Sequence, residues 1–460
     1  MPSLSAEIFS IPLDKCRYLL YAPLRRAAFI GNARMVNFLA DLQAGIYAVE
    51  ADPDGAFVEF LRGIEILDAD TEETLPITVF TAAPQPTVLS LFLTTACNLR
   101  CTYCYASAGD SAKKAMSFDV AKSGIDFVVA NAVKRQTGQF QIAYHGGGEP
   151  SLNWRVMVQS LTYAQDKAAK LGLEISAGTA TNGVLNNKQI DWIIANLQGV
   201  NLSCDGLPTV HDLHRRKING TGSSEHVMHT MQRLDEADFR YGIRMTVTTE
   251  ATAQLPASVE FLCQQFNPER IQIEPMYQLG RGRDSNAAEN AAFVAAYRTA
   301  SVCAKRYGQE ILYSGARLDT LTNHFCALSQ DNFCLSPNGN VSACYEAYAE
   351  DIDTEKLFFY GTPNPNGDGF IFDLAKLDHL RRQAVQHRPY CHNCFAKWHC
   401  AGDCYYKAVA THGLGEFSGT ARCQITRELI QDQILERIVQ AGGVFWREPP
   451  LDYLDFNDMF

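Results

Sequence analysis

Between residues 87 and 306, short apolar runs alternate with longer stretches whose apolar positions recur every three or four residues. The runs at 87–95, 139–145, 173–180, 199–204, 241–248 and 270–276 predict strands. The stretches at 119–134, 153–170, 187–197, 225–237, 256–266 and 289–306 predict amphipathic helices. Six strand–helix units in succession imply parallel strands, closed into a barrel or left as an open sheet. In either arrangement, function gathers at the C-terminal ends of the strands.

The flanks read differently. Arg17–Tyr21 and Arg26–Ile30 predict two strands about a turn at Pro23. Asn32 is placed to cap a helix over 33–44, stopped by Gly45, and Asp52-Pro53 opens a second helix through about Leu61. The run 81–86 has the composition of a linker. Residues 326–423 carry eight cysteines and little periodicity, so this segment is expected to be held together by metal rather than by a large core. Ile425, Leu429, Ile430, Ile434, Ile438 and Val439 predict a closing helix, and 449–460 is an acidic, aromatic tail. The expected units are 1–86, 87–310, 311–425 and 426–460.

The 460 residues are too many for one ordinary core, and the 47% hydrophobic content is that of a globular protein. A net charge of -11 disfavours nucleic acid as a partner. No apolar run approaches the length of a membrane span, and no signal peptide is read at the N-terminus, so a cytoplasmic location is expected. Fifteen cysteines without an export signal point to metal ligation rather than disulfides.

Cys97, Cys101 and Cys104 follow the first strand run at the spacing C-x3-C-x2-C. Three thiolates can hold three irons of a [4Fe–4S] cluster and leave the fourth open to a substrate or cofactor. A zinc knuckle would want a fourth Cys or His close by, and the next histidine is His145. The second strand ends in His145-Gly146-Gly147-Gly148-Glu149-Pro150, where glycines let the backbone approach a ligand. The third strand ends in Thr181-Asn182 and the fourth in Ser203-Cys204-Asp205, with Arg215 twelve residues after Ser203. A hydroxyl suits a ribose, and a guanidinium can clamp a carboxylate.

Together, these motifs resemble the radical S-adenosylmethionine (SAM) enzymes, over about 87–425. The resemblance implies a partial (βα)6, TIM-like barrel with a small N-terminal α+β unit. It also implies that the triad cysteines ligate a SAM-cleaving cluster and that Gly147, Gly148 and Glu149 hold the SAM amino group. Tyr103, Thr181, Asn182, Ser203 and Arg215 would contact the rest of SAM. The later cysteines, Cys326-x12-Gly339-x4-Cys344 and then Cys391-x2-Cys394-x5-Cys400-x3-Cys404 and Cys423, resemble the SPASM extension. By that resemblance Cys326, Cys334, Cys344 and Cys404 hold one auxiliary [4Fe–4S] cluster, and Cys391, Cys394, Cys400 and Cys423 another, making three clusters in all. The run Cys391 to Cys404 could otherwise form a zinc ribbon.

SPASM enzymes mostly act on peptides or proteins. The expected function is therefore oxidative maturation of a ribosomally made precursor peptide through a thioether, ether or carbon–carbon crosslink. A flavodoxin- or ferredoxin-like protein would donate electrons. Sulfatase maturases, the alternative, carry an Asp directly after the cysteine that is here Cys344. This chain has Tyr345 and then Glu346, either of which could serve as the base. Residues 1–86 could form a winged-helix-like unit that binds a leader peptide by strand addition. A zinc-stabilised peptide-binding protein is the reading from outside enzymology.

Overall fold

In the computed structural model, the described residues are 3–4, 7–46, 55–69, 75, 82–283, 289–350, 352–414 and 417–446. The acidic tail, the helix start at Asp52-Pro53 and the first residue of the expected linker lie outside them.

The chain begins with β1 (Phe9–Pro12), β2 (Arg17–Ala22) and β3 (Ala27–Asn32), then α1 (Ala33–Gln43) and α2 (Ala56–Gly63). Asn32 caps α1 as expected, its side chain accepting the Met35 amide at 3.1 Å. The strands are apolar on both faces because the sheet lies between two layers. Leu20 and Phe29 pack with Phe38, Leu39 and Leu61 of the two helices. Leu19, Tyr21 and Ala28 join the main core. The sequence pattern predicted two strands here; the sheet has four, in the order β1-β2-β3-β15, where β15 (Val444–Trp446) comes from the other end of the described chain. It pairs antiparallel with β3, so β3 is not an edge strand.

The next section alternates β4 (Val88–Phe92), α3 (Phe118–Arg135), β5 (Gln139–His145), α4 (Trp154–Leu171), β6 (Glu174–Thr181), α5 (Asn187–Asn196) and β7 (Gly199–Ser203). It continues with α6 (Pro208–His214), α7 (Ser224–Glu236), β8 (Tyr241–Val247), α8 (Leu255–Gln265), β9 (Arg270–Pro275), α9 (Asn290–Arg306) and β10 (Ile311–Leu312). Each predicted strand and helix of this section is present within a few residues; α6 was not anticipated. β4 to β9 pair in parallel and in chain order. A doubly wound sheet reverses its order partway; this unbroken order is what winding a partial barrel requires.

The cysteine-rich segment corrects one expectation. It contains β11 (Cys334–Leu335), β12 (Val341–Ser342), β13 (Phe359–Pro363), β14 (Phe370–Phe372), α10 (Leu374–Arg381), α11 (Lys397–Cys400) and α12 (Tyr405–His412), followed by α13 (Arg422–Gln440). β11 pairs with β4 in parallel, so β11 to β14 extend the barrel sheet to eleven strands. Phe333, Leu335, Val341, Phe358 and Leu377 are fully buried in the same core as the barrel. Apolar packing therefore holds this segment as well. Its elements are two to eight residues long, too short to show a period in sequence.

Candidate functional site

The loop carrying Cys97, Cys101 and Cys104 leaves the C-terminal end of β4 and is held from three sides. On one side lies the glycine run after β5. The Gly148 amide donates to the Thr94 carbonyl at 3.0 Å and the Glu149 amide to that of Ala96 at 2.8 Å. A Cβ on Gly148 would lie 2.2 Å from the Ala96 carbonyl oxygen and 2.7 Å from that of Thr94. Both are backbone atoms that cannot swing away. Gly148→Ala is therefore expected to displace the Cys97 loop, at a cost of about 1–3 kcal/mol. Thermal unfolding and iron content after reconstitution, both reduced, would check this; values equal to wild type would refute the clamp.

On the second side, the Arg100 amide donates to the Arg216 carbonyl at 2.7 Å and the Thr102 amide to that of His214 at 3.0 Å. On the third, Arg281 follows β9. Its guanidinium donates to the Cys101 carbonyl at 2.9 Å and pairs with Asp110 at 2.7 Å. Arg100 closes the loop on itself, reaching the Cys97 carbonyl at 2.9 Å and the Gly109 carbonyl at 3.0 Å. Sequence reasoning assigned no role to Arg281; the run Gly280-Arg281-Gly282-Arg283 at a strand end was the available signal.

Burial, then the Glu149 charge, pushes the Cys97 thiol up to about 12; burial likewise takes Cys101 to about 11. Cys101 and Cys104 each push Cys97 further in the same direction, so the three sulfurs share one neighbourhood. Thiols in this setting become thiolates only when metal compensates them. A three-thiolate cluster fits this donor set.

The other predicted contact residues surround the triad. Glu149 is buried and accepts from the Thr181 hydroxyl and the Asn182 amide, both at 2.8 Å, which ties the ends of β5 and β6 together. Asn182 reaches back to Asn98 at 2.7 Å. Arg215 was expected to clamp a carboxylate of SAM. Its guanidinium forms a buried two-point pair with Asp205 at 3.0 and 3.1 Å through Nε and Nη2, and the residue also lines the cavity. The same carboxylate accepts the Tyr103 hydroxyl, and the Arg215 cation lies over the Tyr103 ring. Burial would raise the Asp205 carboxyl, but the charge of Arg215 outweighs it and holds it low. The pair thus braces the triad loop against the end of β7, and Asp205 is a site residue that sequence reasoning quoted without a role. Ser203 lines the open space beside it.

The eight later cysteines fall into two groups. Beyond the effect of burial, Cys404 and Cys326 raise the Cys344 thiol, and Cys326 also raises those of Cys404 and Cys334. Cys391 responds to Cys394 and Cys423, and Cys400 to Cys423 and Cys394. Cys400 and Cys404, four residues apart, thus face different groups. The cause is local: Ala401, Gly402 and Asp403 all have left-handed φ values, +52°, +82° and +63°, which reverse the chain between the two cysteines. Among the described residues no three His, Cys, Asp or Glu side chains converge as a single metal ion needs. Cys16, Cys204, Cys263 and Cys303 belong to neither group.

One cavity of about 1540 Å³ is shared by the triad and the first group: Cys97, Cys101 and Cys104 line it, and so do Cys326, Cys344 and Cys404. This exceeds the roughly 300–1,000 Å³ of a typical small-molecule pocket. Glu346 lines it too. One carboxylate oxygen lies 3.4 Å from the Lys407 ammonium; the other is buried with no hydrogen-bond partner. Tyr345 packs its ring 5.0 Å from that of His145, and burial pushes its phenol far up. Lys407 was missed by sequence reasoning. No helix among the described residues is long and apolar enough to cross a membrane.

Residues 91–262 match the radical SAM superfamily. An uncharacterised protein of Methanocaldococcus jannaschii is 31% identical over 175 residues, 38% of this chain and 57% of that protein. The cysteine-type anaerobic sulfatase-maturating enzyme of Clostridium perfringens is 26% identical over 155 residues, 33% of this chain and 42% of that enzyme. The chain thus spans about half the length of the curated relatives it matches. Among solved structures, native anSMEcpe with bound AdoMet superposes with a TM-score of 0.60 at 17% identity, covering 77% of this chain and 99% of that one. Streptococcus suis SuiB bound to precursor peptide SuiA gives a TM-score of 0.51 at 14% identity, covering 92% of this chain and 100% of that one. These likenesses establish the fold, and the sequence match falls on the strands and loops that build the triad site: residues 91–262 are a radical SAM domain, carried here with an extended cysteine-rich C-terminal region.

Proposed function

We propose that this chain is a radical SAM enzyme of the SPASM type that oxidises a side chain of a peptide substrate. The observation that carries the reading is the shared cavity, lined by the triad together with Cys344, Cys404 and Glu346. Cys97, Cys101 and Cys104 would hold a [4Fe–4S] cluster. Gly147, Gly148, Glu149, Thr181, Asn182 and Ser203 would form the SAM cradle, with Tyr103 and Arg215 bracing it. The two later cysteine groups would hold two further clusters.

Bound at the triad, cluster and SAM would together supply a 5′-deoxyadenosyl radical that removes one hydrogen atom from the substrate. The chain's own residues then do the rest. The cavity is large enough to seat a peptide segment beside SAM. The unpartnered oxygen of Glu346 can accept the proton that leaves as the substrate gives up a second electron. That electron would pass to the cysteine group beside Glu346, and a flavodoxin- or ferredoxin-like donor would resupply the triad.

The relatives narrow the substrate. Precursor peptide SuiA occupies SuiB, and a second structure of anSMEcpe contains a Cp18Cys peptide. We infer a ribosomally made precursor peptide that is crosslinked through a thioether, ether or carbon–carbon bond. Formylglycine formation in a sulfatase is the second reading, favoured by Glu346 offering a carboxylate one residue beyond the maturase position. Anaerobic incubation of the reconstituted protein with SAM, reductant and peptides from neighbouring reading frames tests both. A crosslinked product lacks two hydrogens and does not react with a hydrazide; a formylglycine product reacts. Formation of 5′-deoxyadenosine with every candidate peptide and sulfatase segment left unchanged would defeat both.

A further inference from the structure

Most of the buried and half-buried arginines in the core of the described structure face a carboxylate. Arg215 pairs with Asp205, Arg422 with Glu274 and Arg381 with Asp331. Arg317 and Arg388 do not. Among the described residues neither has a carboxylate within ion-pairing distance, yet each has a guanidinium nitrogen sealed from solvent with no hydrogen-bond partner.

Their remaining contacts are all to the cysteine-bearing segments. Arg317 donates from Nε to the His399 carbonyl at 3.2 Å and from Nη1 to the Phe325 carbonyl at 3.1 Å. Those residues immediately precede Cys400 and Cys326, one from each group. Arg388, only 5% exposed, donates from Nη1 to the Gly402 carbonyl, between Cys400 and Cys404, and its own carbonyl accepts the Cys391 amide at 2.9 Å. Its cation lies over the Phe417 ring at 4.8 Å and that of Arg317 over Phe325 at 5.2 Å.

A sealed cation without a counter-charge is costly. Eight thiolates gathered in two groups are a large negative charge, which Lys407 beside Cys404 and Arg427 beside Cys394 and Cys423 offset only in part. We propose that Arg317 and Arg388 are the shared counter-charges of the two auxiliary cysteine groups, and that they set the reduction potentials of the clusters held there. The assignment rests on the reading of those groups as cluster ligands. A four-thiolate [4Fe–4S] centre carries two negative charges when oxidised and three when reduced. A fixed cation at its edge therefore favours the reduced form, and a cation placed between two centres favours reduction of both. Such a pair of arginines would make the electron leaving the substrate easier to accept.

The test is reductive titration of the reconstituted full chain, followed by electron paramagnetic resonance, for wild type, Arg317→Gln, Arg317→Lys and Arg388→Gln. Iron is counted first. In Arg317→Gln, with iron unchanged, the ratio of reduced to oxidised auxiliary cluster at fixed potential is expected to fall about tenfold for both signals, or about 59 mV for one electron. The triad cluster signal should stay in place. Arg388→Gln should act in the same direction, and Arg317→Lys, which keeps the charge, should restore most of the shift. Full iron with both auxiliary potentials at wild-type values in both Gln variants would overturn the proposal. So would an equal shift in Arg317→Lys, because packing rather than charge would then be responsible. About four irons per wild-type chain would instead defeat the cluster reading itself, and the assignment with it.

Discussion

Cys97→Ala should yield a folded protein that releases no 5′-deoxyadenosine above the background of the reductant. The side chain lies on a loop whose clamps are backbone hydrogen bonds from Gly148, Glu149 and Thr102, so its removal leaves the loop's geometry in place. What goes is one of three thiolates, and two cannot retain a cluster with an open iron. The expected loss exceeds about a thousandfold, or about 4 kcal/mol of barrier. Iron should fall from about twelve to about eight per chain, because the two later groups share no cysteine with the triad. Chromatographic assay of 5′-deoxyadenosine and an iron count would check both. Retention of SAM cleavage would remove the triad from the chemistry altogether.

Glu346→Gln separates the two halves of the reaction. The Glu346 carboxylate pairs with Lys407 rather than with a residue of the triad loop, so 5′-deoxyadenosine should still form at close to the wild-type rate. Oxidised peptide should fall about a hundredfold to ten-thousandfold, the usual worth of a positioned general base. Lys407, 3.4 Å away, keeps the carboxylate in the cavity and would hold the Gln amide in the same place. Tyr345→Phe is the matched control. Its buried phenol stays protonated and cannot accept a proton, so product yield should be nearly unchanged. A large loss in Tyr345→Phe together with a small one in Glu346→Gln would transfer the role to the tyrosine. Either result is read by mass spectrometry of the peptide, with 5′-deoxyadenosine as the internal standard for SAM cleavage.

The legible parts of this protein are those where structure follows from a local period. β5 and β6, and the helices packed over them, could be read to within a residue or two, because alternating and three-to-four-residue spacings each bury one face. β11 and β12, with two residues each, carry no such signal and exist only because β4 offers them an edge. β15 was illegible for a related reason: three residues pair with β3 from more than 400 positions away. Within the site, the cysteine spacings and the glycine run could be read because they sit on single loops. Asp205, Arg281 and Lys407 could not, since each acquires its role from a partner on another element: Arg215 and Tyr103, the Cys101 carbonyl, and Glu346.

The sequence by itself determined the succession of parallel strands and helices, the triad and the glycine run at the next strand's end. It did so because hydrophobic period and ligand spacing are properties of neighbouring residues. Only the tertiary structure decided that Arg215 is taken up by Asp205. The same is true of Cys400 and Cys404 parting to different groups across a left-handed turn, and of Arg317 and Arg388 each holding a sealed, unpartnered guanidinium nitrogen among the cysteine segments. Charge pairing and burial depend on which distant segments meet, and that is settled only when the core packs.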